Sequence, residues 1–368
     1  EVGVGETTAA AAVSSCVVAS VPSHFTLRQR KAVLDAARIA GVPMPMVIDE
    51  GTAVALAYGI LKGGLPAAGG GPSATVAFVD IGHSCTQVTV AAFTATGLRV
   101  LGRGCAAEGG GTAAGEAVVY GRICTTLSGQ GLTVAGNARA EFRLAQAISS
   151  ALKTLSANTE ARLNVECIDG DQDLGMTLTR EEVEDAYAGV AGEVVAACTE
   201  ALRAAGIGAT DVADVELLGG GSYIPLLRRA VEAVFGGDRV KRTMSSSESV
   251  ARGCALAAAQ HSSNFKLRPF SVTDSLPKSL RLVWRYRPRP TANSLASAEE
   301  STGEVDVPAG TAIPWSTSVT IDVGGGGSSQ RGNKVHVHLM EGADRVASYQ
   351  IDLGAAQGGI FAEQQQPG

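Results

Sequence analysis

The feature that most restricts the fold is a glycine-rich turn set directly after an apolar strand, at three separate places. They are Asp80-Ile81-Gly82-His83-Ser84, Glu108-Gly109-Gly110-Gly111 and Gly219-Gly220-Gly221-Ser222. Without Cβ atoms in the way, successive backbone N–H groups converge on one anion, the arrangement that holds a phosphate. A helix that follows, as after Gly221-Ser222, adds the attraction of its N-terminal dipole. A single such turn reads equally well as a hairpin, and 46 glycines in 368 residues make isolated runs common. All three, in this order and separation, are far more specific.

The segments around them alternate strand and helix. Val17–Val21 is a short apolar run ending at Pro22, a buried strand. Thr26 with Gln29 forms a capping box, Ala32, Val33, Ala36, Ala37 and Ala40 recur at helical spacing, and Gly41 with Pro43 ends the helix. A strand at Met46–Ile48 leads into a helix from about Thr52 to Leu61, and Gly63–Gly71 is a flexible joint. Strands follow at Thr75–Ile81, Thr86–Phe93 and Leu98–Gly102. From about Asn137 to Ala205 the pattern is mostly helical, broken by a strand near Leu163–Glu166, with a second capping box at Thr179 and Glu182. Val215–Leu218 is a strand, Pro225 sits in the first turn of the next helix, and a last helix covers about Glu248–Gln260. Beyond His261, Pro, Gly and Ser clusters separate short alternating stretches at Ser279–Arg285, Ser318–Val323 and Lys334–Leu339, the pattern of a separate β-rich unit. Gly324–Gly327 reads as a loop, and the tail from Gln364 to Gly368 reads as disordered.

Composition narrows the function classes. With 45% hydrophobic and 18% charged residues the chain has material for real cores. The 30 Lys and Arg against 36 Asp and Glu leave no basic footprint for nucleic acid, and no polybasic run or apolar stretch of ~20 residues addresses a membrane. The seven cysteines are scattered and form no C-x-x-C pair, which favours reduced thiols over a disulfide framework or zinc site. Glu1-Val2-Gly3-Val4 is not a basic leader and no initiator Met is present, so the start is expected to lie upstream.

Extended segments carry a family resemblance. Val21-Pro22-Ser23-His24-Phe25-Thr26 with Gln29-Arg30, Asp35–Gly41, Asp49–Ala53 with Ala57-Tyr58-Gly59, and Leu218–Pro225 resemble motifs of the seventy-kilodalton heat-shock chaperones. These chaperones share their ATPase domain with actin and the sugar kinases, and the resemblance covers about residues 14–275. The turn Asp80-Ile81-Gly82-His83-Ser84, the segment Leu155–Thr159 and the stretch Phe265–Asp274 resemble the large, 110-kilodalton branch, whose members act as exchange factors and holdases.

The resemblance implies an α/β, actin-like fold lacking the start of its first lobe, followed by a truncated β-rich segment. It implies a nucleotide-binding portion over residues 1–262 (1–62 and 74–262 in its two lobes), a linker over 263–270, and a β-sandwich substrate segment over 271–368. ATP or ADP with Mg²⁺ is the implied cofactor. Asp80 falls on the aspartate that organises the metal's water shell and the attacking water, and Glu50 on a glutamate near the same metal. Gly82, His83, Ser84 and Cys85, with Gly110 and Gly111, fall on the phosphate-binding turns. Lys153 and Ser156 fall on the adenosine-binding helix, and Gly219, Gly220, Gly221, Ser222 and Tyr223 on the adenosine–phosphate side. The implied partners are a seventy-kilodalton chaperone and unfolded clients, in the cytoplasm and also the nucleus, with neither nucleic acid nor membrane.

The departures from that pattern bear on activity. Cys85 stands for a threonine, Gln87 for a second aspartate, Ser149 for a ribose-gripping glutamate, Leu152 for a lysine, Tyr223 for an adenine-stacking arginine and Thr112 for an acid. The family's first phosphate hairpin and catalytic lysine fall upstream of Glu1. ATP hydrolysis is therefore expected to be weak or absent, with nucleotide acting as a conformational lock. Two other readings stay open: a true ATP-hydrolysing folding chaperone, and a nucleotide-free scaffold or incomplete gene product. Among the residues themselves, Cys85 reads either as an activated thiol or as a small half-buried side chain, and His336 with His338 as a solvated strand face with no third metal ligand.

Overall fold

The computed structural model describes residues 16–44, 46–62, 74–262, 268–287, 301–314, 316, 334–352 and 363–364. The expected joint at Gly63–Gly71, most of the 263–270 linker, the Ser318–Val323 strand, the Gly324–Gly327 loop and the tail after Gln364 lie outside them.

Along the chain the elements are β1 (Val18–Val21), α1 (Leu27–Ile39), β2 (Met46–Asp49), α2 (Glu50–Leu61), β3 (Ala74–Ile81), β4 (Thr86–Thr94) and β5 (Gly97–Ala106). Next come α3 (Thr112–Gly129), α4 (Ala138–Leu155), β6 (Glu160–Asp169), β7 (Gln172–Thr179), α5 (Arg180–Ala186), α6 (Ala188–Ala205), β8 (Asp214–Leu218), α7 (Pro225–Phe235), β9 (Val240–Lys241) and α8 (Ser249–His261). The remainder is β10 (Ser271–Ser275), β11 (Leu280–Arg287), β12 (Ser301–Val307), β13 (Ala312–Ile313), β14 (Lys334–Glu341), β15 (Asp344–Asp352) and β16 (Glu363–Gln364). They fall into two compact units, residues 1–23 with 42–272 and residues 24–41 with 273–368.

The first unit is built on a mixed sheet in the order β5-β4-β3-β8-β9. β3 pairs antiparallel with β4 and parallel with β8, and β9 continues the parallel side. The two-residue period of β3 sends Ala77, Val79 and Ile81 to one face and Val76 and Phe78 to the other. On the first face these side chains join a core with α3, α4, α6 and α7. On the second they join residues of α2 and α8, with Tyr58, Phe78 and Phe93 packed ring to ring at 5.3–6.0 Å. Helices on both faces explain why β4 is buried along nearly its whole length rather than on alternate residues.

The region read as helical from about Asn137 to Ala205 differs in one respect. It holds a full antiparallel hairpin, β6–β7, with Leu163 opposite Met176 and Ala161 opposite Leu178. Alternation is visible on both strands, but β7 is short of β-branched residues, and the acidic run after it continued the helical impression. The helix α3 was also hidden, because its buried stripe of Gly115, Val119, Ile123 and Leu127 is diluted by alanine and threonine. Local signals elsewhere hold. Thr179 Oγ1 accepts from Glu182 N while the Glu182 carboxylate accepts from Thr179 N at 2.8 Å, opening α5. Thr179→Ala is expected to cost about 1 kcal/mol, read as a lowered urea midpoint, with no change in the slope of unfolding.

In the second unit Thr26 and Gln29 form the expected capping box on α1. Ala37 is the buried residue of that helix, and Ile39 is 88% exposed. A five-stranded antiparallel sheet runs β12-β11-β14-β15-β16, so Gln364, expected in a disordered tail, pairs with Tyr349. Arg281 on β11 ion-pairs with Asp306 and Glu304 across the strand pair. His338 Nδ1 lies 2.9 Å from Ser348 Oγ, and burial together with Arg345, His336 and Arg285 lowers its pKa. No metal-binding cluster of three or more His, Cys, Asp or Glu occurs among the described residues.

Candidate functional site

The parallel pairing of β3 with β8 brings their carboxyl ends side by side, Asp80 opposite Leu218. The first and third glycine turns therefore start from adjacent strands, at the sheet end where α/β folds bind ligands. The second joins them through α3, whose first residue Thr112 donates its N–H to Gly82 O at 3.0 Å, and whose Ala113 N–H donates to His83 O at 2.9 Å. The turns touch closely enough that side chains are excluded. A Cβ on Gly111 would lie 2.2 Å from His83 O, and one on Gly219 would lie 2.3 Å from Ile81 O and 2.4 Å from Asp80 Oδ1. Gly219 also has φ +75°, a conformation that side chains resist.

Within the first turn, Gly82 N–H closes the hairpin on Cys85 O at 3.0 Å. The N–H groups of His83 and Ser84 make no hydrogen bond among the described residues, and both side chains point to exposed surroundings. Gly110 is held by its carbonyl, which accepts from Thr86 Oγ1 at 2.6 Å. In the third turn the Ser222 hydroxyl is turned inward, donating to Gly219 O at 2.7 Å, while Gly220 faces open space. Tyr223 is 53% exposed and carries the Arg242 guanidinium 4.7 Å from its ring centre.

The acidic pair sits beside the first turn. Glu50 opens α2, and its carboxylate accepts from the Gln87 amide nitrogen. The Gln87 amide oxygen accepts from Ser23 N–H at 2.6 Å. A carboxylate at position 87 could accept from Ser23 but could not donate to Glu50, so the glutamine suits this pair of neighbours. One residue before Glu50, Asp49 lies buried 3.3 Å from Arg103, whose guanidinium also donates to Thr52 Oγ1 at 2.7 Å. That pair ties the start of α2 to β5. Nothing local in the sequence marks Arg103 or Ser23 as partners of this region.

Burial, together with the Glu50 charge, pushes the Asp80 pKa up to about 6. The Asp80 carboxylate has neither a hydrogen bond nor an ion pair among the described residues. Two carboxylates so placed fit a divalent cation that keeps most of its waters, rather than a closed protein cage. Burial, with Cys105, Glu50 and Asp80 nearby, pushes the Cys85 thiol up to about 12. Cys85 is a protonated, half-buried side chain and not an activated nucleophile.

Lys153 and Ser156 stand apart from this group. They end α4, which packs over the β6–β7 hairpin; Ser156 Oγ donates to Lys153 O at 2.7 Å, and neither bonds to the three turns among the described residues. Leu152 packs, partly buried, against the core.

A mixed sheet covered on both faces by helices, with three glycine turns meeting beside an acid at its strand ends, is the actin-like ATPase fold. The model of the family described as Hsp70 protein matches residues 3–289. Heat shock 70 kDa protein 14 of Arabidopsis thaliana is 37% identical over 319 residues, 86% of this chain and 37% of that protein. Heat shock 70 kDa protein 4L of Homo sapiens is 35% identical over 296 residues, 80% of this chain and 34% of its own length. The chain thus belongs to the Hsp70 family, with its large heat-shock branch. It spans little more than a third of the length of these relatives.

Proposed function

We propose that the protein is an ATP-binding co-chaperone of the large heat-shock branch, which promotes nucleotide exchange on a seventy-kilodalton partner and holds unfolded clients. The observation that carries this reading is the meeting of the three glycine turns around Asp80. In it, His83 and Ser84 N–H groups and the Gly110-Gly111 and Gly219–Gly221 backbone receive the phosphates, and Asp80 and Glu50 hold a hydrated Mg²⁺. The metal supplies positive charge to the phosphate oxygens when bound. Residues to 262 form the nucleotide-binding portion, 263–270 the linker and 271–368 the client-binding segment, in a cytoplasmic protein.

Hydrolysis is expected to be slow for a reason visible at Gln87. Its amide is committed to both Glu50 and Ser23, and it offers no carboxylate to orient a water. A second reading, a nucleotide-free scaffold, is favoured by the use of the Thr112 and Ala113 N–H groups on Gly82 and His83 carbonyls, and by the packing of Leu152. Calorimetric titration with Mg·ATP separates them. Saturable binding that Asp80→Ala abolishes, with accelerated release of fluorescent ADP from a seventy-kilodalton partner, is the result expected of the co-chaperone. A flat titration with the folded chain selects the scaffold.

A further inference from the structure

The first unit carries a second concave site at the other end of β8. A cavity of about 460 Å³ opens there between the end of α2, the residues around β9 and the start of α8. Its floor includes Tyr58, Leu61 and Met244, and three cations reach it: Lys62, Lys241 and Arg252. Leu61 is 62% exposed, an apolar surface with cations beside it. The register places Asp214 opposite Val76 and Leu218 opposite Asp80. Four residues of strand, roughly 13 Å at about 3.3 Å per residue, therefore separate the Asp214 end from the glycine turns.

The lining favours an anion: its charged side chains are Lys62, Lys241 and Arg252, with no acid among the lining residues. Lys62 lies 3.2 Å from Asp214, and Lys241 pairs with the same carboxylate, so one negative charge serves two ammonium groups. Arg252 pairs with Glu248 where both side chains are more than half exposed, a partnership of little worth that a better anion displaces. The hydroxyls of Thr243, Ser249 and Tyr58 already have partners: Thr243 Oγ1 donates to the buried Glu216 at 2.6 Å, Ser249 Oγ donates to Ser245 O, and Tyr58 Oη accepts from Lys62. Recognition of a head group therefore falls on the three cations. A guanidinium with two ammonium groups matches a doubly charged phosphate better than a single carboxylate. The volume is that of a small-molecule site, with an apolar floor and a few polar groups.

We propose that this cavity binds a small organic phosphate, its apolar part on Leu61 and Met244 and its head group among Lys62, Lys241 and Arg252. The site is independent of the proposed nucleotide site. The probe is phenyl phosphate, titrated into the full chain by calorimetry and ligand-observed NMR. Saturable binding is expected, weakened about tenfold by Lys241→Gln and by Arg252→Gln. Inorganic phosphate, lacking the ring, should bind at least about tenfold more weakly. Arg252→Gln leaves the Asp214 cluster intact, so an unchanged melting temperature shows that its loss of binding is local. No saturation below about 10 mM, undiminished binding in both variants, or benzoate binding as tightly as phenyl phosphate would each overturn the proposal.

Discussion

Asp80→Asn should make the protein more stable at pH 7.5 while removing Mg·ATP binding. The Asp80 carboxyl titrates at about 6 in the folded chain, against 3.8 for an unhindered side chain. Below about pH 4 both folded and unfolded chains are protonated there, and the group makes no difference. As pH rises from 4 to 6 the unfolded chain loses this proton first, so stability falls across that window, and the full cost is present above it. A shift of about two units corresponds to about 3 kcal/mol. The variant is expected to gain on that order at pH 7.5 and nothing at pH 4, measured by urea unfolding at both values. The same variant leaves Glu50 as the one acid at the proposed metal position, and Mg·ATP affinity should fall at least about a hundredfold. Equal stability gains at both pH values would show that the buried charge is not the cause. An acid that destabilises the fold yet lacks a partner among the described residues is what a cation-binding role would require.

The largest loss of stability is expected from Gly253→Ala. This glycine lies on α8 where that helix crosses α2, and an added Cβ would sit 1.9 Å from Ala53 O and 2.3 Å from Ala53 C. Both are backbone atoms, so no rotamer change relieves the clash and the two helices must separate. Their interface contains Ala53, Val54, Cys254 and Ala257 in the core against Val76 and Phe78. Separation of a packed pair costs more than the usual overpacking of about 1–3 kcal/mol, a large part of a typical margin of about 5–15 kcal/mol. Gly192→Ala is the matched control, a glycine inside α6 with nothing within 4 Å of its added Cβ. It should stabilise the protein by about 0.5–1 kcal/mol. Circular dichroism in urea, run on both variants, reads the contrast. A mild Gly253→Ala phenotype would mean that α8 can move away from Ala53 without loss of core packing.

Elements bounded by strong local signals were legible from the residues alone. The capping boxes at Thr26 and Thr179, Pro225 at the start of α7, and the apolar runs of β3, β4 and β8 all lie where the sequence puts them. The helix α3 and the strand β7 were not, because alanine, threonine and glycine weaken the period that would reveal them. The three turns were legible as glycine runs, but not that each leans on the next.

Chain neighbours alone thus set the local features: where strands stop, where helices are capped, and which glycines free their backbone donors. These depend on neighbours within a few residues. Only packing in three dimensions makes Ser23, Glu50 and Gln87 one hydrogen-bonded chain, buries Asp80 with the Glu50 charge nearby so that its proton is held to about pH 6, and sets Asp214 between two lysines. Each of these joins residues from distant parts of the chain, brought together by the pairing of β3 with β4 and β8 and by the helices packed upon them. Charge and hydrogen-bond effects of this kind act over a few ångströms of space, a separation that spacing along the chain does not encode.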